Sequence, residues 1–328
     1  MSSESFSAND PVVEDFAGAS PLQIARRLFH ATRPKFYPAS VLPVLAGTAW
    51  GVGVSGAFDV GIFLLALLAT ICVHAAANVL NDVGDDSGGT DRVNEDRIYP
   101  YTGGSRFIQA GIMSPANMAS LGITLIVVAA IAGVVLLLAK GPMILAFGLA
   151  GVALAVLYSL GPARLSGLGI GEIAIGVGFG VLPITGGAWL QSGVIDLDSL
   201  LFSLPISAWV MAILLINEVP DIGPDGQTGK RTLPVRLGLG GTRIVYLGLH
   251  AFALAAVVYM TATSLLPLAT PLLPLALLFV AYKASNAIRR GIEDRDGMRR
   301  ALEATLGIHM LGALWLCAAV LYAAWSSA

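Results

Sequence analysis

The sequence predicts an all-α polytopic membrane protein with nine transmembrane helices, arranged as two parallel half-repeats around a central cavity. Only 12% of the 328 residues are charged, whereas 56% are hydrophobic. A soluble domain of this size carries roughly twice that density of charge. Apolar stretches of about 20 residues, the length that crosses a bilayer core, recur along the chain. Because backbone groups in lipid must pair within their own segment, these stretches are predicted to be helices.

Three regions are predicted in chain order. Residues 1–20 are polar and acidic and are predicted to form a mobile tail. Residues 21–36 mix apolar and basic side chains, which is typical of an amphipathic segment in the membrane interface. Residues 37–328 form the nine-helix domain, with spans predicted at 37–57, 60–82, 115–138, 142–160, 168–190, 199–218, 243–263, 266–284 and 304–326. Prolines predict a kink near the start of the eighth span.

The distribution of basic residues predicts the orientation of the chain. With nine spans and the N-terminus inside, eighteen of the nineteen lysine and arginine residues lie in cytoplasmic segments, and only Lys140 lies outside. This division agrees with the positive-inside rule. We therefore expect a multi-pass protein of a bacterial or archaeal cell membrane, in contact with lipid and not with nucleic acid.

A short motif occurs twice at predicted cytoplasmic helix ends. Residues 81–85 read NDVGD after the second span, and residues 217–221 read NEVPD after the sixth. Four helices separate the copies, so both point the same way. This arrangement suggests two half-repeats that face one cavity.

Helical spacing places the polar residues of each copy on one face. Asn78, Asn81, Asp82 and Asp85 form this stripe in the first copy, and Asn217, Asp221 and Asp225 form it in the second. The alternative is that the acids sit among lipid headgroups beyond the helix ends. This alternative is less favoured for the stripe residues, because they lie near the hydrocarbon, where a carboxylate needs a functional reason: at the centre of a membrane helix it costs about 2.5–3.5 kcal/mol.

These carboxylates and their basic neighbours predict a metal and phosphate site. Carboxylate oxygens without nearby cysteine favour Mg²⁺, which completes its coordination with water and substrate phosphate. Lysine and arginine side chains bind phosphate oxygens. The candidates for diphosphate binding are Asn78, Asn81, Arg92, Arg97, Arg106, Lys230 and Arg231. The alternative for each basic residue is ordinary positive-inside bias.

Both motifs resemble the signatures of the UbiA-type intramembrane aromatic prenyltransferases. The first reads N-D-x-x-D-x-x-x-G-x-D from Asn81 to Asp91, and the second reads D-x-x-x-D-x-x-x-G-K-x-T-L-x-V-R-L-G from Asp221 to Gly238. The first motif's Gly–x–Asp ending and the 158–165 stretch are similar to the 1,4-dihydroxy-2-naphthoate polyprenyltransferases of menaquinone synthesis. Glu218 and Pro220 depart from the pattern that is common among those enzymes.

The resemblance implies Mg²⁺-dependent transfer of a prenyl group from prenyl diphosphate to an aromatic acceptor. It implies that Asp82, Asp85, Asp221 and Asp225 are the catalytic metal ligands, and it adds Asp91 to the metal set. Tyr158, Arg164 and Glu172 are candidates for binding the acceptor, although Arg164 and Glu172 could equally form a structural ion pair.

Other functions remain open from the sequence. Within the family the acceptor could be 4-hydroxybenzoate, homogentisate, chlorophyllide or a lipid ether. A cation-coupled transporter would also place acids within a membrane repeat, but it would not need the paired motif beside GKRT. The CDP-alcohol phosphotransferases use aspartates and metal, but their DG-x-x-AR pattern is absent.

Overall fold

The structure, a computed structural model, describes residues 11–94, 96–159 and 164–327. Helices, turns and connecting loops make up these residues, and they contain no β-strand. The long helices of the described part are α1 (Pro38–Ser55), α2 (Val60–Gly88), α3 (Pro115–Lys140), α4 (Met143–Ser159), α5 (Gly171–Ser192), α6 (Leu197–Asn217), α7 (Leu233–Ala262), α8 (Leu272–Arg290) and α9 (Arg295–Ser327).

Several of these helices can cross a membrane. Seven helical stretches in the described residues are long and apolar enough, and one of them, Leu272–Ser326, contains both α8 and α9. The shorter α4 is also apolar. Large apolar side chains such as Ile123, Leu138 and Ile244 are exposed on the outside of the bundle, where a lipid environment would cover them. The multi-pass helical fold is confirmed, whereas the count of nine spans stays a prediction.

The N-terminal segment packs partly onto the bundle. Residues 1–10 of the predicted tail lie outside the described part, and Val13–Phe16 forms one helical turn. The Phe16 ring is buried with its centroid 4.8 Å from that of Phe107. The next helix, Pro21–Ala31, begins with a capping box in which the side chains of Ser20 and Gln23 pair with each other's backbone amides, and this fixes its start. The predicted boundaries of the tail and the interfacial segment remain predictions.

Several helices differ in extent or shape from the sequence-based expectation. The eighth span was expected from residue 266, but α8 begins at Leu272, because residues 264–271 form turns in which Pro267 and Pro271 cannot donate helical hydrogen bonds. Helix α2 continues past residue 82 to Gly88, so the first motif is helical through Asp85. Helix α7 contains a break at Gly238, with φ 64° and ψ 179°, which separates the end of the second motif from the membrane-spanning part.

Small residues allow close contact between the helices that surround the site. A Cβ atom on Gly47 of α1 would lie 2.3 Å from the carbonyl oxygen of Ile184 in α5. A Cβ on Gly180 would lie 2.0 Å from the Ser207 hydroxyl of α6. Gly180 belongs to a π-helical turn, Val177–Val181, within α5. Since only glycine fits at such distances, these residues hold α5 tightly between α1 and α6.

The helices assemble in two groups. Helix α2 packs against α3 and α4, whereas α6 packs against α7 and α9, and α1 contacts both α5 and α9. Trp209 and Tyr246 are buried in the second group, where the Tyr246 hydroxyl pairs with Thr305 at 2.7 Å. This packing brings the C-terminal ends of α2 and α6 to one end of the bundle, where both motifs lie.

Candidate active site

The two motifs line one polar cavity of about 100 Å³ at the ends of α2 and α6. Its lining includes, from the first motif and its loop, Asn81, Asp85, Asp91 and Asn94, and, from the second, Asn217, Glu218, Asp221, Asp225 and Lys230. The sequence repeat thus predicted a real convergence: side chains about 140 positions apart face the same space.

Each motif continues into a short helix beside the cavity. Thr90–Val93 follows α2, and Ile222–Gln227 follows α6. The hydroxyl oxygens of Thr90 and Thr228 lie 3.0 Å apart and form a hydrogen bond between the two segments. The loops that carry the motifs are therefore in direct contact.

The first-motif carboxylates occupy different surroundings. Asp85 faces the cavity and forms an ion pair with Lys230. Asp82 is buried under the loop that follows the motif, where its Oδ2 accepts a hydrogen bond of 3.0 Å from the Ser105 amide. Its Oδ1 is buried and has no hydrogen-bond partner among the described residues. A buried carboxylate oxygen without a donor is costly, and Asp82 is not among the residues that line the polar cavity.

The loop over these carboxylates requires glycine at one point. Gly104 has φ +75°, and a Cβ atom there would lie 2.8 Å from Asp82 Oδ1 and 3.3 Å from Asp91 Oδ2. The left-handed backbone conformation is costly for other residues. Gly104 thus lets the chain pass directly over two acidic side chains, and the next amide, that of Ser105, binds Asp82.

The second motif is joined to the first by polar contacts. The side-chain amide of Asn94 donates a hydrogen bond of 2.8 Å to Asp221 Oδ1. Lys230 lies between the motifs, since its Nζ pairs with Asp85 and lies 3.7 Å from Asp225 Oδ1. One lysine therefore contacts a carboxylate from each motif.

Burial and the clustering of carboxyl groups shift the pKa values of the cavity residues that lie outside the membrane helices. Burial, followed by the neighbouring Asp85 and Asp82 carboxylates, raises the pKa of Asp91 well above its usual value. Burial also raises the pKa of Asp221, and it raises that of Asp225 to about 7 against the effect of Lys230. Burial alone would lower the pKa of Lys230, but Asp85 and Asp225 raise it above the usual value.

The donor chemistry of the cavity fits a divalent cation that is shared with a phosphate ligand. No three carboxylate, histidine or cysteine groups in the described residues surround a single point, so a closed protein cage is not formed. Mg²⁺ commonly uses only one or two carboxylates and takes its other ligands from water and phosphate. Such a cation would favour the ionised forms of Asp91 and Asp225 and so lower the pKa values that burial raises. The unpaired Oδ1 of Asp82 lies buried beneath the loop that carries Gly104.

Several predicted diphosphate ligands lie away from the polar cavity. Arg97 is buried, and its Nη1 donates a hydrogen bond of 2.6 Å to the carbonyl of Asn94. Arg106 donates to the carbonyl of Asp91. Both arginines thus support the loop that carries the cavity residues. Arg231 is exposed, and the side chain of Arg92 falls outside the described part of the structure.

The predicted acceptor residues are also divided. Tyr158 lines the polar cavity and the apolar cavity next to it. Arg164 is exposed, and residues 160–163 before it lie outside the described part of the structure. Glu172 is buried, and its Oε1 has no hydrogen-bond partner among the described residues. Burial, followed by the nearby Glu172 carboxyl, raises the pKa of Glu218 well above its usual value.

Two apolar cavities continue from the polar one into the bundle. The first, of about 170 Å³, shares Arg33, Asn81, Tyr158, Leu214 and Asn217 with the polar cavity, and Asn78 also lines it. The second, of about 130 Å³, shares Thr70, Val73, Gly151 and Gly178 with the first. The polar cavity and the apolar cavities therefore suit a ligand that has a charged head and a long apolar tail.

Three cavity residues were missed by the sequence analysis. Arg33 lines both the polar and the first apolar cavity, and its buried Nε has no partner in the described chain. Asn94 bonds Asp221, and Glu218 lies near Glu172. Glu218 directly follows Asn217 of the polar stripe in the sequence. Arg33, by contrast, lies 48 residues before Asn81, and only tertiary packing brings it to the site.

Comparisons with known proteins agree with this geometry. A family model described as "UbiA prenyltransferase family" matches residues 40–306. The 1,4-dihydroxy-2-naphthoate octaprenyltransferase of Mycobacterium tuberculosis is 31% identical over 269 residues, which is 80% of this chain and 86% of the relative. The Escherichia coli protein of the same name is 29% identical over 90% of this chain and 95% of its own.

Solved structures show the same fold. A UbiA homolog from Archaeoglobus fulgidus, bound to GPP and Mg²⁺, superimposes with a TM-score of 0.66 and 14% identity. The comparison covers 90% of this chain and 99% of that one. A UbiA homolog from Aeropyrum pernix gives a TM-score of 0.65 at 19% identity, over 84% and 96% of the two chains.

Proposed function

Because the chain belongs to the UbiA prenyltransferase family, we propose that it transfers a polyprenyl group from a prenyl diphosphate to 1,4-dihydroxy-2-naphthoate in menaquinone biosynthesis. The observation that carries this proposal is the shared cavity: carboxylates of both motifs face Lys230 at one end, and apolar space begins at the other. The names of the mycobacterial and enterobacterial relatives favour the naphthoate acceptor.

Within this proposal the polar cavity holds the diphosphate with Mg²⁺. Asp82, Asp85, Asp91, Asp221 and Asp225 are the proposed metal ligands. The Mg²⁺-containing homolog supports this choice of metal. When bound, Mg²⁺ would stabilise the leaving diphosphate and so favour ionisation of the allylic C–O bond.

The charged neighbours of the cavity bind and orient the diphosphate. Lys230 and Arg33 both face this space, and they supply donors for phosphate oxygens. Arg97 and Arg106, in contrast, act by holding the loop carbonyls of Asn94 and Asp91 in place. Their proposed role is therefore to position acidic residues, and not to contact phosphate.

The apolar cavities hold the reacting carbon and the prenyl tail away from water. In the reaction, the C–O bond to diphosphate breaks, a bond forms between the allylic carbon and an aromatic carbon, and that carbon loses a proton or its carboxyl group. Water would capture an allylic cation, so a dry cavity is needed. The tail would continue from the first apolar cavity into the second and leave sideways into lipid.

The proposed setting follows from the distribution of charge. The N-terminus and both motif loops lie on the cytoplasmic side of a bacterial or archaeal membrane, since this orientation keeps the basic residues inside. A water-soluble naphthoate would then approach from the cytoplasm, and the prenyl diphosphate from the bilayer.

A panel of acceptors tests the proposal. The purified protein in lipid nanodiscs would be incubated with Mg²⁺, radiolabelled octaprenyl diphosphate and one acceptor at a time: 1,4-dihydroxy-2-naphthoate, 4-hydroxybenzoate, homogentisate, chlorophyllide or a glycerol phosphate ether. We expect labelled lipid product with the naphthoate. Product with another acceptor only would overturn the menaquinone assignment while keeping the reaction class.

A matched pair of variants tests the site itself. Asp221→Asn should abolish product formation, because it removes a cavity carboxylate that Asn94 orients. Asp296→Asn changes an exposed aspartate at the start of α9 and should leave the rate unchanged. Full activity of Asp221→Asn would exclude the proposed metal ligand, and substrate-independent cation transport into vesicles would favour a transporter.

A further inference from the structure

The first apolar cavity contains a histidine, His74, that has no role in the prenyl transfer as described above. His74 lies on α2, one turn deeper in the bundle than Asn78, and is 5% exposed. It lines the cavity together with Tyr158 and Phe179. The Phe179 ring contacts the imidazole edge-on, with a centroid distance of 4.6 Å, so the ring has a fixed orientation.

Hydrogen bonds around His74 determine which nitrogen carries the proton. Its Nδ1 lies 2.9 Å from the Ser40 hydroxyl oxygen, and that hydroxyl can donate to the Tyr37 carbonyl at 3.1 Å. A hydroxyl has one hydrogen to donate. Only when Nδ1 of His74 is the donor to Ser40 are both hydrogen bonds made together. In the neutral ring, Nε2 is then an acceptor with a free lone pair.

This lone pair is available to a ligand. Nε2 of His74 has no hydrogen-bond partner among the described residues. It is also not fully enclosed by protein atoms, so a ligand in the cavity can reach it. A prenyl chain carries no hydrogen-bond donor, whereas an aromatic acceptor carries ring hydroxyl groups. Nε2 of His74 is therefore a side-chain acceptor suited to the second substrate, deeper in the cavity than the amides of Asn78 and Asn81.

We propose that Nε2 of His74 accepts a hydrogen bond from a ring hydroxyl of the aromatic acceptor and orients that ring beside the diphosphate cavity. This inference rests on the proposed function and adds the acceptor site to it. A hydroxyl that donates to nitrogen releases electron density into its ring, which favours attack by the ring carbon. Ser40 is a positioning residue, because it acts only by fixing the tautomer of His74.

Steady-state kinetics with both substrates test the proposal. His74→Phe keeps an aromatic ring beside Phe179 but removes the lone pair. We expect the KM for the aromatic acceptor to rise about tenfold, the size of one lost hydrogen bond, while the KM for prenyl diphosphate stays within about twofold of the wild-type value. His74→Gln, whose amide oxygen can accept, should recover part of the loss and also serves if the phenylalanine variant does not fold.

His250 provides the matched control. It is equally buried, stands edge-on to Tyr246, and borders none of the three cavities. His250→Phe should leave both KM values unchanged. An unchanged acceptor KM in His74→Phe, or an equal rise for both substrates, would overturn the proposal. If the wild-type protein transfers no prenyl group to any acceptor, the proposed function fails instead.

Discussion

Replacing Gly104 with alanine is the sharpest test of the geometry above the first motif. The new methyl group would lie 2.8 Å from Asp82 Oδ1, closer than Cβ atoms approach other atoms, and 3.3 Å from Asp91 Oδ2, which is a tight contact. The carboxylate of Asp82 must then move, and its hydrogen bond from the Ser105 amide must stretch or break. We expect Gly104→Ala to damage the site without removing any functional group.

Two contributions to the cost can be separated. Placing alanine in a left-handed conformation costs about 1–2 kcal/mol in stability. A hydrogen bond to a charged group contributes about 1.5–3 kcal/mol. If the position of Asp82 needed for catalysis loses this stabilisation of about 1.5–3 kcal/mol, the activity falls about 10- to 150-fold.

Gly111 supplies the control in the same loop. Its φ is +71°, and a Cβ atom there would meet no other atom within 4 Å. Gly111→Ala should therefore show the loss of stability alone, measured as a shift in thermal unfolding of the detergent-solubilised protein. The assay is kcat/KM for prenyl transfer in both variants. Equal activity of the two variants would refute the claim that the loop is fitted to the carboxylates.

Three further predictions follow from the cavities. Asp85→Ala should reduce kcat at least about 1,000-fold and leave membrane insertion intact, because it removes a metal ligand and the partner of Lys230; full activity would contradict the metal assignment. Gly151→Leu should fill the junction of the two apolar cavities, so this variant should still transfer a geranyl group but no longer an octaprenyl group. Gly133 borders neither cavity, so the Gly133→Leu variant should transfer both groups. Chelation with EDTA should stop transfer, and excess Mg²⁺ should restore it; activity in EDTA would exclude a divalent ion.

The sequence predicted the location of the site better than its details. Helical spacing placed Asp85, Asp221 and Asp225 on faces that meet at one cavity, because periodicity determines which side of a helix a residue occupies. The match of the family model confirms the resemblance that these motifs suggested. The membrane fold followed from composition, since lipid permits few alternatives to helices.

Side-chain direction in the loops could not be predicted in the same way. The assignment of Arg97 and Arg106 to diphosphate stays a prediction, and the sequence did not indicate that each also donates to a loop carbonyl. A loop has no fixed period that would tell which way a long side chain turns. Arg33 was missed for a related reason, because it reaches the cavity from the segment between the N-terminal helix and α1.

The contacts between the two motif loops have a consequence for motion. Thr90 pairs with Thr228, Asn94 with Asp221, and Asp85 with Lys230. Each of these pairs joins segments from opposite halves of the chain, so neither loop can lift away without breaking bonds to the other. Backbone amides in both loops should then exchange with deuterium at similar rates, and Asn94→Ala should accelerate exchange around residue 225 as well as around residue 94. Ligand entry and product release would then depend on one shared opening event for both loops.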